Sequence, residues 1–473
     1  MIKKNNEIIN IDLDSVSKIH MIGIGGISMS GIAVMLKSQG KTVTGSDAKR
    51  GPMIEILEQE GIDIFIGSNP ERLEGCDLVV YTAAICETDA EYLKAIELGI
   101  PTLERAPFLG IMLKEYDKVI CVSGMHGKTT TTSIIASAFK SINTNPTVLV
   151  GSKLKELNNL NYMIGDKNYF ILEACEYVDS FLNFPPTTAV ILNIEEDHLD
   201  YFDGIDHIKE SFSKFISLIH ENGNLVICID DKNCRDILKY SENILNDKNI
   251  SVYTYSIQDN SARIYAENIS LNPNGCYSFD AIVDGIYLDT YSLIVPGKHN
   301  VLNCLATIGA VVSNENGKVK DIKSSLESFT GASRRFEFKK ELANKVRIYD
   351  DYAHHPTEIK ATLKSAKDTG AKRVIAIFEP HTYSRTKSLL KEFSEAFEDA
   401  DIAIIADIYA AREPNDETIS SRMLADKISD NGVNAIYIPT YDKIVEYIHS
   451  VVQEGDIILT IGAGTITNLS SML

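Results

Sequence analysis

Short apolar runs alternate with longer amphipathic stretches along the whole chain. The runs 19–22, 78–81, 119–122 and 457–461 have the length of buried strands, and a glycine-rich or polar turn precedes or follows each of them. Strands that alternate with helices are typical of a parallel, doubly wound α/β sheet. The pattern therefore predicts an α/β protein, and 473 residues are enough for about three domains.

One turn carries a phosphate-binding pattern. Residues 123–129 read SGMHGKT, so two glycines precede Lys128 and Thr129 at the start of a threonine-rich helix. Such a turn can wrap backbone N–H groups around a phosphate chain, while the lysine reaches the β/γ-phosphates and the threonine hydroxyl faces Mg²⁺. The pattern is shorter than a full Walker A motif. An ordinary strand–turn–helix with a solvated lysine is the alternative.

A second glycine-rich turn lies near the start of the chain. Residues 23–31 read GIGGISMSG, in which Ser28 stands where the dinucleotide fingerprint has its third glycine. Asp47 lies roughly where an NAD-binding acid would be expected. The turn is compatible with NAD, with another nucleotide diphosphate or with a purely structural role, and the missing glycine favours the second reading.

Polar residues follow several predicted strands. Glu173 ends the run 170–173 and is placed to complete a Mg²⁺ shell, whereas His198 follows the run 189–194 among carboxylates and is either a ligand or structural. Asn300 precedes an apolar helix, where capping and base recognition are both possible. Residues 348–356 and 374–386 each pass from a strand into acids, aromatics and histidines. Ligands bind at such carboxyl ends in doubly wound sheets.

The composition of the chain limits which binding partners and which cellular compartment are expected. The formal net charge of −20 argues against nucleic acid or an anionic membrane as the main partner. The eight cysteines include no C-x-x-C pair, which indicates neither a zinc site nor a disulfide framework and fits a reducing cytosol. No apolar run has the length of a membrane span, and residues 1–15 lack the apolar core of a signal peptide. The chain is therefore expected to be cytoplasmic.

The ordered set of motifs resembles the Mur ligase family of peptidoglycan synthesis. The resemblance covers essentially the whole chain and rests on GIGGISMSG, GMHGKTTTT, ILNIEEDHLD, GKHNVLN, SRRFE, DDYAHHPTE and FEPHTYSRT. It implies three domains: an N-terminal Rossmann-like, doubly wound domain over 1–117 that binds a UDP-linked substrate, a P-loop ATPase-type domain over 118–330, and a C-terminal Rossmann-like domain over 331–473 that binds an amino acid.

The resemblance also implies a reaction. The first GIGG turn and DDYAHHPTE are similar to the branch of the family that joins L-alanine to the lactyl carboxylate of UDP-N-acetylmuramate through an acyl phosphate. ATP is then a substrate, and two Mg²⁺ ions are the expected cofactors. No pattern in the sequence specifies an oligomeric state. A relative that recycles murein tripeptide shares DDxAHHP and is the nearest competitor; an NAD-dependent oxidoreductase and a regulatory nucleotide binder are the alternatives from other classes.

Site residues follow from the same resemblance, position by position. Lys128, Glu173, His198 and Arg385 are implied in catalysis, and Thr129, Glu173 and His198 in metal binding. The residues implied in ATP binding are Gly124, Met125, His126, Gly127, Lys128, Thr129, Thr130, Asn300, Arg335 and Asp351. The UDP-linked substrate is assigned to Gly25, Gly26, Ser46 and Asp47. The amino acid is assigned to Tyr352, His354, His381 and Arg385.

Several residues differ from those that are usual at the same positions in the motifs of the family. Met125 stands where threonine is usual, and it is expected to contribute its backbone N–H. Cys175 and Tyr177 replace aspartate and serine after the strand that ends at Glu173. The other departures are Ala83 and Ala84 in place of serines and Thr382 in place of a basic residue. None of them removes a group that the chemistry requires.

Overall fold

The structure is a computed structural model that describes residues 11–85, 88–154 and 157–473, and its strands form three separate sheets. The first sheet has the order β3-β2-β1-β4-β5, and every strand pair in it is parallel. Its strands are β1 Lys18–Ile22, β2 Thr42–Asp47, β3 Asp63–Ile66, β4 Leu78–Tyr81 and β5 Thr102–Glu104. The helices around it are α1 Ile27–Ser38, α2 Pro52–Gln59, α3 Ala90–Glu97 and α4 Arg105–Leu113. The strand order reverses at β1, which is where doubly wound sheets bind ligands.

The second sheet has ten strands in the order β15-β14-β13-β12-β11-β10-β6-β9-β7-β8. They are β6 Lys118–Ser123, β7 Pro146–Leu154, β8 Leu160–Met163, β9 Asp166–Glu173, β10 Thr188–Ile191, β11 Asn224–Cys228, β12 Ser251–Ser256, β13 Ile264–Leu271, β14 Tyr277–Val283 and β15 Ile286–Ser292. The helices of this part are α5 Lys128–Ser141, α6 Ile205–Ser217, α7 Lys232–Tyr240, α8 Glu242–Asp247, α9 His299–Glu315 and α10 Lys323–Ser328. The strands around β6 are parallel, whereas β14 is antiparallel to both β13 and β15, and β8 is antiparallel to β7.

The third sheet has the order β16-β17-β21-β18-β19-β20, and it is parallel except for the edge strand β16. Its strands are β16 Glu337–Leu342, β17 Val346–Asp351, β18 Val374–Phe378, β19 Ile402–Ile405, β20 Ala435–Tyr437 and β21 Ile457–Ile461. Its helices are α11 Pro356–Asp368, α12 Tyr383–Ser388, α13 Leu390–Ser394, α14 Ser421–Asp430, α15 Tyr441–Val451 and α16 Leu469–Met472. The prediction of three α/β domains, with Rossmann-like domains on either side of a P-loop ATPase-type domain, is confirmed in architecture, whereas the boundaries at residues 117 and 330 stay predictions.

Buried side chains on both faces hold the central strands. All residues of β18 and β21 are buried, which explains why β18 reads as an unbroken apolar run and β21 as a run interrupted only by buried Thr460. The first sheet is joined to the second through α1, because Gly31 allows that helix to approach closely: a Cβ there would lie 2.8 Å from Leu149. Asn161 adds a polar contact, donating a hydrogen bond to the carbonyl of Ile27 at 2.7 Å. This packing fixes the first glycine-rich turn relative to the second sheet.

Two local expectations differ from the structure, and one group of strands was not expected. The run 189–194 was expected to be a strand, but β10 ends at Ile191, and the apolar residues that follow are buried in a loop. Asn300 does not cap α9, since the helix begins at His299 with Lys298 at its N-cap. The antiparallel strands β13–β15 were not predicted.

Two further features bear on composition. The seven cysteines that the structure describes are free thiols, and Cys86 lies outside the described residues. Within residues 11–85, 88–154 and 157–473, no helix combines the length and apolar character of a membrane span.

Candidate active site

The turn between β6 and α5 has the geometry of an anion-binding loop. Gly124 (φ 143°) and Gly127 (φ 84°) both have backbone torsions that glycine adopts at little cost. The first bond within α5 runs from the N–H of Thr131 to the carbonyl of Gly127. The N–H groups of the three preceding residues therefore point out of the helix N-terminus, where a phosphate is stabilised.

Asn193 holds this turn from the loop after β10. Its side chain accepts the N–H of His126 at 2.8 Å and donates to the carbonyl of the same residue at 3.0 Å. The N–H of Met125 donates to the backbone carbonyl of Asn193 at 3.2 Å, so this N–H is engaged within the protein, whereas the sequence had assigned it to phosphate. The turn is thus fixed before any ligand arrives.

Lys128 forms a buried ion pair with Glu176. The lysine Nζ lies 2.8 and 3.0 Å from the two carboxylate oxygens and also donates to the carbonyls of Gly124 and Met125. Burial alone would raise the pKa of Glu176, but the Lys128 ammonium and the His198 imidazole hold it below its ordinary value. The same pair outweighs burial at Lys128 and raises the pKa of the ammonium. Lys128 therefore carries its charge throughout the ordinary pH range. It lies at the end of the turn formed by residues 123–129, which is called the phosphate loop below.

Thr129 and Glu173 form the second pair of this loop. The Thr129 hydroxyl donates to Glu173 Oε1, and burial raises the pKa of the carboxyl above its ordinary value. Gly151 on β7 lies against the same carboxylate, since a Cβ there would be 2.1 Å from Glu173 Oε2. A buried carboxylate whose described side-chain hydrogen bond comes from a neutral hydroxyl is a favourable position for a cation.

His198 lies on the other side of Glu176. Its Nε2 is 3.5 Å from Glu176 Oε1, and its ring lies against Tyr177 with the ring centroids 4.5 Å apart. The backbone of His198 is left-handed (φ 53°), a conformation that costs a non-glycine residue free energy and clusters at functional sites. Glu176 thereby links the phosphate-loop lysine to a histidine in the neighbouring cleft.

A cavity of about 200 Å³ lies between the second and third sheets, beside the phosphate loop. Its lining brings together residues from widely separated stretches of sequence, among them His126, Asn300, Arg335, Asp351 and Glu358. The Asn300 side chain is held by the carbonyl of Pro296 at 2.7 Å and by the Asn303 amide at 2.9 Å. Arg335 reaches the cavity from the third domain and lies 3.6 Å from Glu358.

Asp351 is the buried carboxylate of this cavity. It accepts hydrogen bonds from the N–H groups of Ala353 at 2.7 Å and of Phe336 at 2.8 Å. Burial raises the pKa of Asp351 to about 6, against the lowering effect of Arg335 and these N–H groups. The carboxylate is held rigidly at the end of β17.

Two histidines and two glutamates meet where the phosphate loop faces α11. His126 lies 3.3 Å from Glu358 and 3.5 Å from Glu195, and its ring centroid is 4.7 Å from that of His355. Burial would lower the pKa of His126, but the two carboxylates raise it to about 9. His355 caps α11, accepting the N–H of Thr357. This cluster joins the second and third domains.

A second cleft, of about 590 Å³, lies beyond His198 and is lined by residues of both domains. Arg385 donates two hydrogen bonds, of 3.0 and 3.1 Å, to Asp197 Oδ1. Burial would raise the pKa of Asp197, but His198 and Arg385 hold it well below its ordinary value. His381 lies 3.4 Å from the Arg385 guanidinium, and its ring stacks against Tyr409. The cleft therefore contains an arginine fork that is already paired with a carboxylate.

His354 lies between the two cavities. Its Nδ1 is 3.0 Å from the carbonyl of Tyr352, and its ring centroid is 6.2 Å from that of His381. Burial lowers the pKa of His354 to about 4, so the ring is neutral near neutral pH. Tyr352 faces the two guanidinium groups of Arg334 and Arg335 at 4.9 and 5.3 Å.

The first glycine-rich turn is held by the side chain of Asp47. The N–H of Gly25 donates to Asp47 Oδ2 at 2.9 Å, and the hydroxyl of Ser46 is turned inward onto buried Glu91. Arg105, at the start of α4, donates to the Ser28 hydroxyl at 3.3 Å. Burial lowers the pKa of Arg105. Arg105 is thus a partly buried cation beside the first glycine-rich turn, whose geometry is suited to binding a diphosphate.

Comparison with known proteins identifies the family of this chain. Three family models match the chain in order: "Mur ligase family, catalytic domain" over residues 18–117, "Mur ligase middle domain" over 122–311 and "Mur ligase, glutamate ligase domain" over 334–464. The UDP-N-acetylmuramate–L-alanine ligase of Acetivibrio thermocellus is 47% identical to the chain over 462 residues, which cover 98% of this chain and 96% of that protein. The chain belongs to the Mur ligase family.

Further relatives and solved structures support the same assignment to the Mur ligase family. The UDP-N-acetylmuramate–L-alanine ligase of Caldanaerobacter subterraneus subsp. tengcongensis is 48% identical over 96% of this chain and 97% of that protein. Among solved structures, the UDP-N-acetylmuramate–alanine ligase of Thermotoga maritima matches with a TM-score of 0.79 at 26% identity, covering 96% of this chain and 97% of that one. A murein peptide ligase from Psychrobacter arcticus matches with a TM-score of 0.70 at 25% identity, covering 97% and 98%.

The Mur ligase fold brings most of the predicted site residues together. Those assigned to ATP, together with Thr129 and Glu173, surround the phosphate loop and the first cavity, and His198, His381 and Arg385 line the second cleft. Those assigned to the UDP-linked substrate lie at the end of β1 and β2, with the Ser46 side chain turned away into the interior.

Several residues of this Mur ligase site were missed from the sequence. They are Arg105, Gly151, Glu176, Asn193, Asp197, Glu358 and His355. Some of them lay inside or beside the quoted motifs, and the others had no local signal at all. Each owes its place to contacts between segments far apart in sequence.

The structure also shows where the residues that differ from the family's usual motifs lie and what they contact. Tyr177 lies against His198 and donates to Asp200 at 2.7 Å, so it lines the second cleft. Thr382 has a positive φ of 66° and caps α12 by accepting the N–H of Arg385. Cys175, Ala83 and Ala84 are exposed, and nothing in the structure explains the change at these three positions.

Proposed function

We propose that this Mur ligase uses ATP to join L-alanine to the lactyl carboxylate of UDP-N-acetylmuramate, a step of peptidoglycan precursor synthesis. One observation carries the proposal: Lys128 of the phosphate loop and His198 of the second cleft contact the same buried carboxylate, Glu176. The position of a γ-phosphate is thereby adjacent to a cleft that contains an arginine fork. The two alanine-ligase relatives support the choice of amino acid.

The chemistry explains why these two sites adjoin. A carboxylate is a poor electrophile, because an oxide would have to leave. The lactyl carboxylate oxygen therefore attacks the γ-phosphorus of ATP, ADP leaves, and the acyl carbon of the resulting mixed anhydride becomes reactive. The amine of L-alanine then attacks that carbon, and inorganic phosphate leaves with the bonding electrons. Phosphoryl transfer of this kind is accelerated chiefly by positioning and by cations that offset charge.

The residues present fit Mg²⁺. The Thr129 hydroxyl and the Glu173 carboxylate are the oxygen ligands that this ion prefers, and burial of Glu173 leaves a carboxylate to be neutralised. We assign one Mg²⁺ to this pair and a second to His198. When bound, these ions would offset the charge that develops on the phosphoryl oxygens.

The nucleotide is assigned to the first cavity. N–H groups at the start of α5 and Lys128 would bind its phosphates, Asn300 its adenine, Asp351 its ribose hydroxyls, and Arg335 its phosphates from the third domain. The stretches on either side of the cavity belong to different domains, so ligand binding would favour closure of the third domain on the second.

The other two substrates are assigned to the remaining clefts. Arg385, His381, His354 and Tyr352 would bind L-alanine, and the turn at Gly25 and Gly26, with Ser46 and Asp47, would bind the UDP part. Arg105 is an additional candidate for the diphosphate. We assign the reaction to the cytoplasm, where ATP and nucleotide-linked sugars are made, and propose domains over 1–117, 118–330 and 331–473.

Phosphate release tests the reaction directly. With ATP, Mg²⁺ and UDP-N-acetylmuramate present, release is expected only when L-alanine is added, and it should be faster than with glycine or a murein tripeptide. Release with tripeptide but not with alanine would assign the chain to the recycling branch. ATP binding without release under any of these conditions would contradict a ligase and favour a regulatory nucleotide binder.

ATP binding should weaken at acid pH because of Asp351. Its pKa is raised to about 6, so the carboxyl takes up a proton below that pH and loses an acceptor for the ribose hydroxyls. The sign is therefore a rise in the Kd for ATP as pH falls, by up to about tenfold between about pH 7.5 and about pH 5. Titration calorimetry with the wild type and Asp351→Asn measures it. Both proteins share the titration of ATP itself, so an equal slope in the two would contradict the assignment.

A further inference from the structure

The cluster between the phosphate loop and α11 contains three potential metal ligands to whose side chains the proposed reaction gives no chemical role. His126 Nε2 lies 3.5 Å from Glu195 Oε2, and His355 Nδ1 lies 4.0 Å from the same oxygen. All three ligand atoms lie within 4.8 Å of one another. A tetrahedral ion with bonds of about 2.0–2.1 Å needs ligand atoms about 3.3 Å apart. Small side-chain movements would therefore bring these three onto one ion.

The outer nitrogens of both histidines already have acceptors. His126 Nδ1 faces Glu358 Oε1 at 3.3 Å, and His355 Nε2 faces the carbonyl of Glu196 at 3.2 Å. Histidines that bind metals nearly always donate their outer N–H to a carboxylate or a carbonyl, because this fixes the tautomer whose inner nitrogen carries a lone pair. Both inner nitrogens are directed toward Glu195, and the one on His126, which the two carboxylates keep protonated near neutral pH, would give up its proton to the ion.

The inner atoms are also available. His126 Nε2 is buried and has no hydrogen-bond partner among the residues that the structure describes. His355 Nδ1 caps α11, accepting the N–H of Thr357 at the long distance of 3.4 Å, and an ion bound to this nitrogen would replace that cap. Glu195 Oε2 accepts the Thr357 hydroxyl at 2.7 Å, and a rotation of the carboxylate would turn its other oxygen inward.

We propose that His126, Glu195 and His355 form a site for a transition-metal ion of the Zn²⁺ class. Two imidazoles and one carboxylate are a donor set that suits Zn²⁺ better than Mg²⁺, which prefers oxygen ligands. Two carboxylates, Glu195 and Glu358, face the ion and its ligands and supply the balancing negative charge. The site is distinct from the pair of Thr129 and Glu173 assigned to Mg²⁺.

The position of the site gives it a consequence. His126 and Glu195 belong to the second domain, and His355 belongs to the third, so one ion would join the two domains beside the nucleotide cavity. Because the ion binds the folded, closed arrangement, it would raise the thermal stability of the protein. It would also oppose the domain opening that exchange of nucleotide requires, so that Zn²⁺ acts as an inhibitor of the closed enzyme.

Zinc binding to the chelator-treated full chain tests the site. Competition with a chromophoric chelator is expected to give one tight equivalent of Zn²⁺ and a higher Tm. His355→Asn keeps a side chain that can cap α11 but removes the imidazole, and Glu195→Gln removes the carboxylate. Each is expected to weaken Zn²⁺ binding by more than about tenfold.

Three control variants separate this site from others. His449→Asn changes an exposed histidine on α15, Glu173→Gln alters the proposed Mg²⁺ site, and Cys175→Ser removes the exposed thiol. All three should bind Zn²⁺ as the wild type does. Unchanged affinity in His355→Asn and Glu195→Gln, or loss in any control, would overturn the proposal.

A spectrum of the wild-type protein keeps the test decisive if the ligand variants fail to fold. Co²⁺ in place of Zn²⁺ should give the strong visible bands of a tetrahedral nitrogen and oxygen site. A thiolate charge-transfer band, or the weak bands of an octahedral ion, would place the metal elsewhere and contradict the assignment. These readouts do not depend on the ligase reaction, so the site and the proposed function can fail separately.

Discussion

Replacement of Lys128 by alanine is expected to lower kcat by about 10²–10⁴-fold. The lysine Nζ is held by both oxygens of Glu176 and by two carbonyls of the phosphate loop before nucleotide binds. A charge that is already in position stabilises the transfer of a phosphoryl group between two anionic groups, because no protein group has to reorient during the reaction. Phosphate release at saturating ATP, UDP-N-acetylmuramate and L-alanine measures the effect. Lys140→Ala, at the exposed end of the same helix, is the matched control and should keep the wild-type rate.

Stability must be separated from catalysis in this variant. Removing Lys128 leaves Glu176 buried with His198 as its remaining ionic partner, and breaking a buried ion pair costs about 3–5 kcal/mol. The double variant Lys128→Ala/Glu176→Gln should therefore recover much of the lost Tm, because glutamine carries no charge to neutralise. It should not recover kcat. Recovery of both would mean that Lys128 acts only by holding the loop.

Strands buried on both faces were predicted accurately because nearly every residue in them is apolar. The runs 78–81, 374–378 and 457–461 coincide with β4, β18 and β21. The run 189–194 was predicted too long, since Leu192 and Ile194 are as buried as a strand although the chain has left the sheet. The half-exposed antiparallel strands β13–β15 gave no such signal. Apolar periodicity reports burial, and burial is not unique to strands.

The candidate site was predictable only where a short motif fixes local geometry. The phosphate loop reads directly as two glycines, Lys128 and Thr129, because the backbone conformation requires them in that order. Asn193 and Glu176 hold that loop from segments about 50 to 70 residues away in the chain, positions that no local pattern connects to it. Such contacts depend on the tertiary packing of two domains. The structure supplies them, and the roles assigned to individual ligands stay predictions.

Replacement of Arg385 by alanine is expected to lower kcat/KM for L-alanine by about 10²–10³-fold, the size expected when one partner of a hydrogen-bonded charge pair is lost. The planar guanidinium matches a carboxylate with two parallel bonds. In the structure this fork is occupied by Asp197, at 3.0 and 3.1 Å. The arginine is thus oriented toward a carboxylate in the cleft, and the substrate carboxylate would take over that role or share it.

The pattern across substrates distinguishes this role from a structural one. Arg385→Ala should raise KM for L-alanine and leave KM for ATP close to its wild-type value, because the nucleotide cavity does not include Arg385 among its lining residues. Arg385→Lys should recover only part of the loss, since an ammonium is a point charge without the fork. Lys387→Ala, which changes an exposed lysine on the same helix that pairs with Asp416 at 3.1 Å, is the control. Equal losses for both substrates, accompanied by a fall in Tm, would show that Arg385 serves to hold Asp197 and the domain contact rather than the amino acid.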